Sequence, residues 1–91
     1  MALPDKPAVI RHVSNVIAGF TRIPPHDINP GWELRKAPLR FDDSGLRWLA
    51  MSLRGYVSSY NGSGTVRAPD TRKSKQTVTG LADLCYSQIH A

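Results

Sequence analysis

Four prolines fall within positions 21–43, a segment that separates two regions of helical periodicity. Proline fixes its own φ angle, lacks a backbone donor and disfavours helical geometry in the residue before it, so no long helix can cross this segment. We expect an ordered, irregular connector that packs over the core, with two very short strands around 36–38 as an open alternative. The apolar side chains that require this order are Ile23, Ile28, Trp32, Leu34, Leu39 and Phe41.

Amphipathic helices are predicted on both sides of this connector. Apolar residues recur at intervals of three and four in segments 5–20 and 44–60, which is the spacing of one face of an α-helix. Asp5 for the first helix, and Asp42, Asp43 or Ser44 for the second, are placed to act as caps, because a side-chain oxygen at an N-cap accepts from amides of the first turn. The first apolar stripe ends at Phe20, which the periodicity assigns to the core.

A third helix is predicted over 78–90, where the helical spacing of apolar residues resumes. Before it, residues 61–77 read NGSGTVRAPDTRKSKQT, in which Val66 is the single large apolar side chain. Connections of this length are usually functional or disordered, so we expect a flexible basic loop. The predicted fold is mainly α: one small domain over 1–91 with about three helices, the proline-rich connector and at most a minor β element.

The charge of the chain indicates what kind of partner it meets. Twelve Lys and Arg residues stand against seven Asp and Glu, a formal net charge of +5. That balance favours anionic partners such as a nucleic acid or an acidic protein face. Whether the basic residues converge on one surface or remain scattered is open at this point. They are Arg35, Lys36 and Arg40 in the connector, Arg47 and Arg54 on the second helix, and Arg67, Arg72, Lys73 and Lys75 in the loop.

Trp48 and Met51 lie on the second predicted helix, away from the middle of its leucine stripe. In one interpretation they pack beneath the connector as part of the core. In the other they form an exposed patch beside Arg47 and Arg54, and protein interfaces favour aromatic residues, methionine and arginine. We prefer the buried interpretation, because a small domain needs its large side chains in the core.

No pattern of residues predicts catalysis or metal binding. His26 and Asp27 are adjacent without a nucleophile at a telling position, and Cys85 and His90 miss the i, i+4 spacing of two ligands on one helical face. We therefore expect a protein that is not an enzyme and needs no cofactor and no metal. One cysteine, no signal-like run at the start and no apolar stretch of membrane-spanning length lead us to expect a cytoplasmic protein without a membrane partner.

Two functions are consistent with these patterns. The first, which we favour, is a regulatory or inhibitory protein that binds a larger protein or complex with an acidic or nucleic-acid-handling surface. A mobile-element or phage-type inhibitor of a host complex would be an example. The second is a nucleic-acid-binding accessory protein that uses a basic face and the loop 66–76. In both, the expected contact residues are the basic residues named above together with Trp48 and Met51.

Overall fold

The computed structural model describes residues 2–91 and is mainly α-helical, which confirms the predicted fold class. In chain order, its elements are helix α1 (Lys6–Thr21), a 3-10 turn (Pro25–Asp27), helix α2 (Asp43–Tyr60), the short helix α3 (Ala68–Thr71) and helix α4 (Val78–Ile89).

Residues 2–91 contain no β-strand, and an isolated antiparallel bridge pairs Glu33 with Thr77. The alternative of short strands around 36–38 is therefore wrong for this part of the chain. Backbone hydrogen bonds form turns there instead. The amide of Lys36 donates to the carbonyl of Glu33, and the amide of Arg40 donates to the carbonyl of Lys36.

Each long helix begins after a residue whose side chain caps the first turn. Asp5 and Asp42 accept at 3.0 Å and 2.7 Å from the amides three residues further on. Thr77 does the same for α4 at 3.0 Å. These bonds satisfy amides that have no partner within the helix, and one such cap typically contributes about 1 kcal/mol. Because such caps are local, the sequence presents candidates for those of α1 and α2 directly.

Helices α1, α2 and α4 each bury one apolar face in a shared core, and α1 packs mainly against α4. The connector closes this core from one side with apolar side chains of its own. Fully burying one side chain of this kind stabilises the fold by about 1.5–3 kcal/mol. The core includes Val9, Val13 and Ile17 from α1, Leu46, Leu49 and Leu53 from α2, Val78, Leu81 and Cys85 from α4, and Ile28, Leu34, Leu39 and Phe41 from the connector.

Backbone hydrogen bonds tie the connector to the start of α4. The amide of Leu34 donates to the carbonyl of Gln76 at 2.9 Å, and the amide of Val78 donates to the carbonyl of Trp32 at 3.1 Å. These partners lie far apart along the chain, so tertiary contacts rather than local propensity order the connector. This arrangement also brings the segment before α4 next to the connector.

The segment 61–77 contains a short helix that the sequence does not predict. Helix α3 forms within it, Val66 and Thr71 are buried, and the Thr71 hydroxyl lies 2.9 Å from the carbonyl oxygen of Leu46 in α2. A single helical turn is too short for hydrophobic periodicity to reveal. The flexibility of this segment stays a prediction.

Candidate interaction surface

An exposed apolar patch lies where the end of α1 meets the first half of α2. It consists of Phe20, Trp48 and Met51, which are 47%, 40% and 69% exposed, and we call it the aromatic patch. The ring of Phe20 stacks on Trp48 and on the buried Phe41, with a centroid separation of 5.0 Å to each. Met51 follows Trp48 by three residues on α2, so the two share one side of the helix. Clustered apolar exposure of this kind is typical of interaction surfaces.

This exposure contradicts two predictions from the sequence. The periodicity assigns Phe20 to the core, and the preferred interpretation places Trp48 and Met51 beneath the connector; all three are exposed instead. The reason is that the connector covers the start of α2 with Phe41. Gly45 permits this packing, because a Cβ at that position would lie 3.0 Å from the Phe41 ring and 3.2 Å from the Phe20 ring. With Phe41 in that place, Phe20 and Trp48 remain on the outside.

The carboxylate of Asp43 in the first turn of α2 lies in a region of positive charge. Arg35 in the connector donates a hydrogen bond to it at 2.6 Å. That hydrogen bond and the charge of Arg35 hold the pKa of Asp43 below its ordinary value, and the charges of Arg72 and Arg47 add to the effect. The connector, α2 and the segment after α3 therefore each contribute a cation to the same region.

A small recess that Arg35 lines continues this basic region. Arg35, Lys73 and Lys75 line it together with Glu33, Leu34, Thr71 and Gln76. Thr71 is anchored to α2, and the side-chain amide of Gln76 donates to a carbonyl oxygen of α3 at 2.9 Å. The turn that carries the two lysines is thus attached to the core on both sides.

The predicted basic contact residues divide into two groups. Lys36 forms an ion pair with Glu33 at 3.1 Å, Arg40 and Arg67 are exposed elsewhere, and the exposed Arg54 follows Met51 of the aromatic patch by three residues on α2. The structure brings the others together around Asp43 and the recess, and we call this group the basic cluster. It consists of Arg35, Arg47, Arg72, Lys73 and Lys75.

Sequence reasoning missed Phe20 and Asp43 as parts of these surfaces. Phe20 fits the apolar periodicity of α1, and the signal that sets it apart is its position in the last turn, after the exposed Gly19. At a helix end, fewer following residues are available to cover a side chain. The sequence presents Asp43 only as part of a helix cap, and no sequence signal indicates that cations from two other segments meet there.

Within residues 2–91, no cluster of three or more His, Cys, Asp or Glu side chains could hold a metal ion. Cys85 is fully buried, and burial raises the pKa of its thiol to about 12, which leaves little thiolate at neutral pH. His12 stacks on Tyr56 with ring centroids 3.6 Å apart, and burial lowers the pKa of His12.

The aromatic patch and the basic cluster adjoin on α2, because Arg47 belongs to the cluster and precedes Trp48 in the patch. Comparisons with protein-family models, with curated proteins and with solved structures find no match. Among residues 2–91, no helix combines the length and the apolarity that a bilayer crossing requires. The two surfaces are therefore the features from which a function can be inferred.

Proposed function

We propose that this chain is a small, non-enzymatic regulatory or inhibitory protein of the cytoplasm that binds a larger protein or complex through the aromatic patch. The observation that carries the proposal is the joint exposure of Phe20, Trp48 and Met51 in one cluster. Water solvates such a cluster poorly, and covering it with a partner recovers hydrophobic free energy. Tryptophan is also among the residue types that contribute most to the energy of protein interfaces.

Ring stacking makes the aromatic patch ready for binding. Phe20 contacts Phe41 on one side and Trp48 on another, and Phe41 is only 3% exposed. A side chain that is already held by its neighbours loses less conformational entropy when a partner covers it. The stacking therefore favours a preformed contact surface rather than apolar residues that are exposed by chance.

The charges around the aromatic patch favour an acidic partner over a second copy of this chain. Arg47 lies directly before Trp48, and Arg54 follows Met51 by three residues on the same helix. Two copies meeting through this patch would bring these arginines close to each other, and each chain carries a net charge of +5. Like charges across an interface are unfavourable, whereas acidic residues on a partner would pair with them.

The adjoining basic cluster supports a partner that handles nucleic acid. Such a partner brings phosphates, or acidic residues that occupy a phosphate site, next to the aromatic patch. An inhibitor from a mobile element that acts on a host nucleic-acid-handling complex would be a protein of this kind.

A capture experiment from native lysate tests the proposal with two charge-matched variants. Met51→Glu places a carboxylate in the aromatic patch, while Ser87→Glu makes the same charge change at an exposed position of α4. Met51 is largely exposed, so its replacement leaves the core intact, and circular dichroism verifies the fold of both variants. Tagged full-length chains are used on lysate that is divided into a nuclease-treated and an untreated half.

We expect the wild type and Ser87→Glu to retain one stoichiometric protein partner at moderate salt, and Met51→Glu to lose it. Equal capture by both variants would mean that the aromatic patch is not the contact surface. Loss of all captured material after nuclease treatment would also contradict the proposal, because a protein partner does not depend on nucleic acid.

A further inference from the structure

We propose that the basic cluster is a separate site for the phosphate backbone of a nucleic acid, and that Asp43 acts as its internal counter-ion. This goes beyond the proposed function, since contact between the aromatic patch and a protein does not require it. The structural basis is the ion pair at 2.6 Å between Arg35 in the connector and Asp43 in α2. Arg47 follows Asp43 by one turn of α2, and Arg72 directly precedes Lys73. Lys73 and Lys75 stand beside them around the same recess that Arg35 lines.

The backbone that carries Arg72, Lys73 and Lys75 is hydrogen bonded to the rest of the domain. The proximity of these cations to Arg35 therefore does not depend on mobile side chains alone. Thr71, directly before Arg72, is 1% exposed and hydrogen bonded to α2. The amide of Gln76 donates to the carbonyl of Lys73 at 3.1 Å, and the carbonyl of Gln76 accepts from the connector at 2.9 Å. These bonds hold the turn 72–76 between α3 and the connector.

Phosphate is the ligand that this arrangement suits best. The cations are exposed and distributed over the connector, α2 and the turn, and a nucleic-acid backbone presents closely spaced anions that such a surface can neutralise together. Arginine and lysine side chains supply many of the phosphate contacts in protein–nucleic acid complexes, and hydroxyls such as that of the exposed Ser74 supply others. An acidic protein face offers no comparable regular spacing of charge.

Asp43 opposes phosphate binding in two ways. Its carboxylate holds Arg35 in an ion pair at 2.6 Å, and its negative charge lies close enough to Arg47 and Arg72 to be affected by both. Asp43→Asn removes the charge but keeps the size of the side chain. The variant should therefore bind phosphate more tightly than the wild type, by roughly fivefold if the charge acts over about 4 Å in water.

The test is fluorescence anisotropy of the full-length chain with a labelled short duplex DNA and a labelled single-stranded DNA, from about 50 to 200 mM salt. Lys73→Gln should weaken binding and reduce the log–log salt slope on the duplex by about 0.9, the contribution of one neutralised phosphate. Arg11→Gln serves as the matched control, because Arg11 is exposed on α1 in a different recess, with Ser14 and His26. That control should retain the slope of the wild type.

Three results would overturn the inference. Equal losses in Lys73→Gln and Arg11→Gln would show that net charge, not the basic cluster, drives binding. If Asp43→Asn bound DNA no more tightly than the wild type, Asp43 would not act as a counter-ion of the basic cluster. Binding of labelled poly-glutamate without binding of either DNA would assign the cluster to an acidic protein. The readout is DNA binding by the purified chain, so this test does not depend on a protein partner of the aromatic patch.

Discussion

Alanine should stabilise the domain at Gly55 and destabilise it at Gly64. Gly55 is an exposed interior residue of α2, and an added Cβ would meet no described atom within 4 Å apart from its chain neighbours and the backbone of its own helix. Glycine in a helix interior costs about 1 kcal/mol relative to alanine, because it loses more backbone entropy on folding. Gly55→Ala should therefore raise the free energy of unfolding by about 1 kcal/mol and the Tm by about 4–8 °C for a domain of this size.

Gly64 has the opposite environment. It is buried, and an added Cβ would lie 2.7 Å from Cγ1 of Val57 and 3.0 Å from the carbonyl oxygen of Gln88. That carbonyl belongs to the backbone of α4, so it cannot move aside as the end of a flexible side chain could. Overpacking of this kind typically costs about 1–3 kcal/mol, and Gly64→Ala should lower the free energy of unfolding by an amount in that range.

The assay is urea and thermal unfolding of both variants and the wild type, followed by far-ultraviolet circular dichroism. Because the substitution is the same at both positions, the difference in unfolding free energy between the two variants reports the difference between their structural environments. If Gly64→Ala were as stable as Gly55→Ala, the close approach of residue 64 to α2 and α4 would be wrong. A loss of stability in Gly55→Ala would mean that some part of the chain packs against that side of α2.

Three further predictions concern buried polar and titratable groups. Thr71→Val keeps the side-chain volume but removes the hydroxyl 2.9 Å from the Leu46 carbonyl, and it should lower the free energy of unfolding by about 1 kcal/mol in urea melts. Cys85 is buried with a pKa raised to about 12, so Ellman's reagent should label it at neutral pH only after denaturation, and fast labelling of the folded protein would contradict its placement. Burial lowers the pKa of His12 from 6.5, so the unfolded chain binds more protons; stability should therefore fall as the pH drops through about 6.5. In pH-dependent melts His12→Phe, which keeps a ring against Tyr56, should weaken this dependence.

Local chemistry explains which parts of the fold the sequence predicts. Asp5 and Asp42 cap helices through residues only three positions away, and the apolar stripes follow from the helical repeat. Proline excludes a long helix from the connector by its own geometry. These effects need no knowledge of tertiary contacts, so the mainly α fold can be inferred from the order of residues alone.

The interaction surfaces depend on contacts that the sequence does not display. Trp48 is exposed because Phe41 occupies the space above Gly45, and nothing in the order of residues selects Phe41 for that place. In the same way, Arg35 reaches Asp43, and Arg72 comes into the same region, because the connector and α3 both pack on α2. The candidate residues were therefore predictable by type, but their grouping required the tertiary structure.

The central claim is that the aromatic patch contacts a protein partner, and photo-crosslinking from within the patch tests it most directly. Benzoylphenylalanine replaces Met51 in one sample and the exposed Ser87 on α4 in another, and both are irradiated in nuclease-treated native lysate. We predict one discrete crosslinked protein from position 51 and none from position 87. No discrete product from position 51, or the same product from both positions, would contradict the assignment of the aromatic patch as the binding surface.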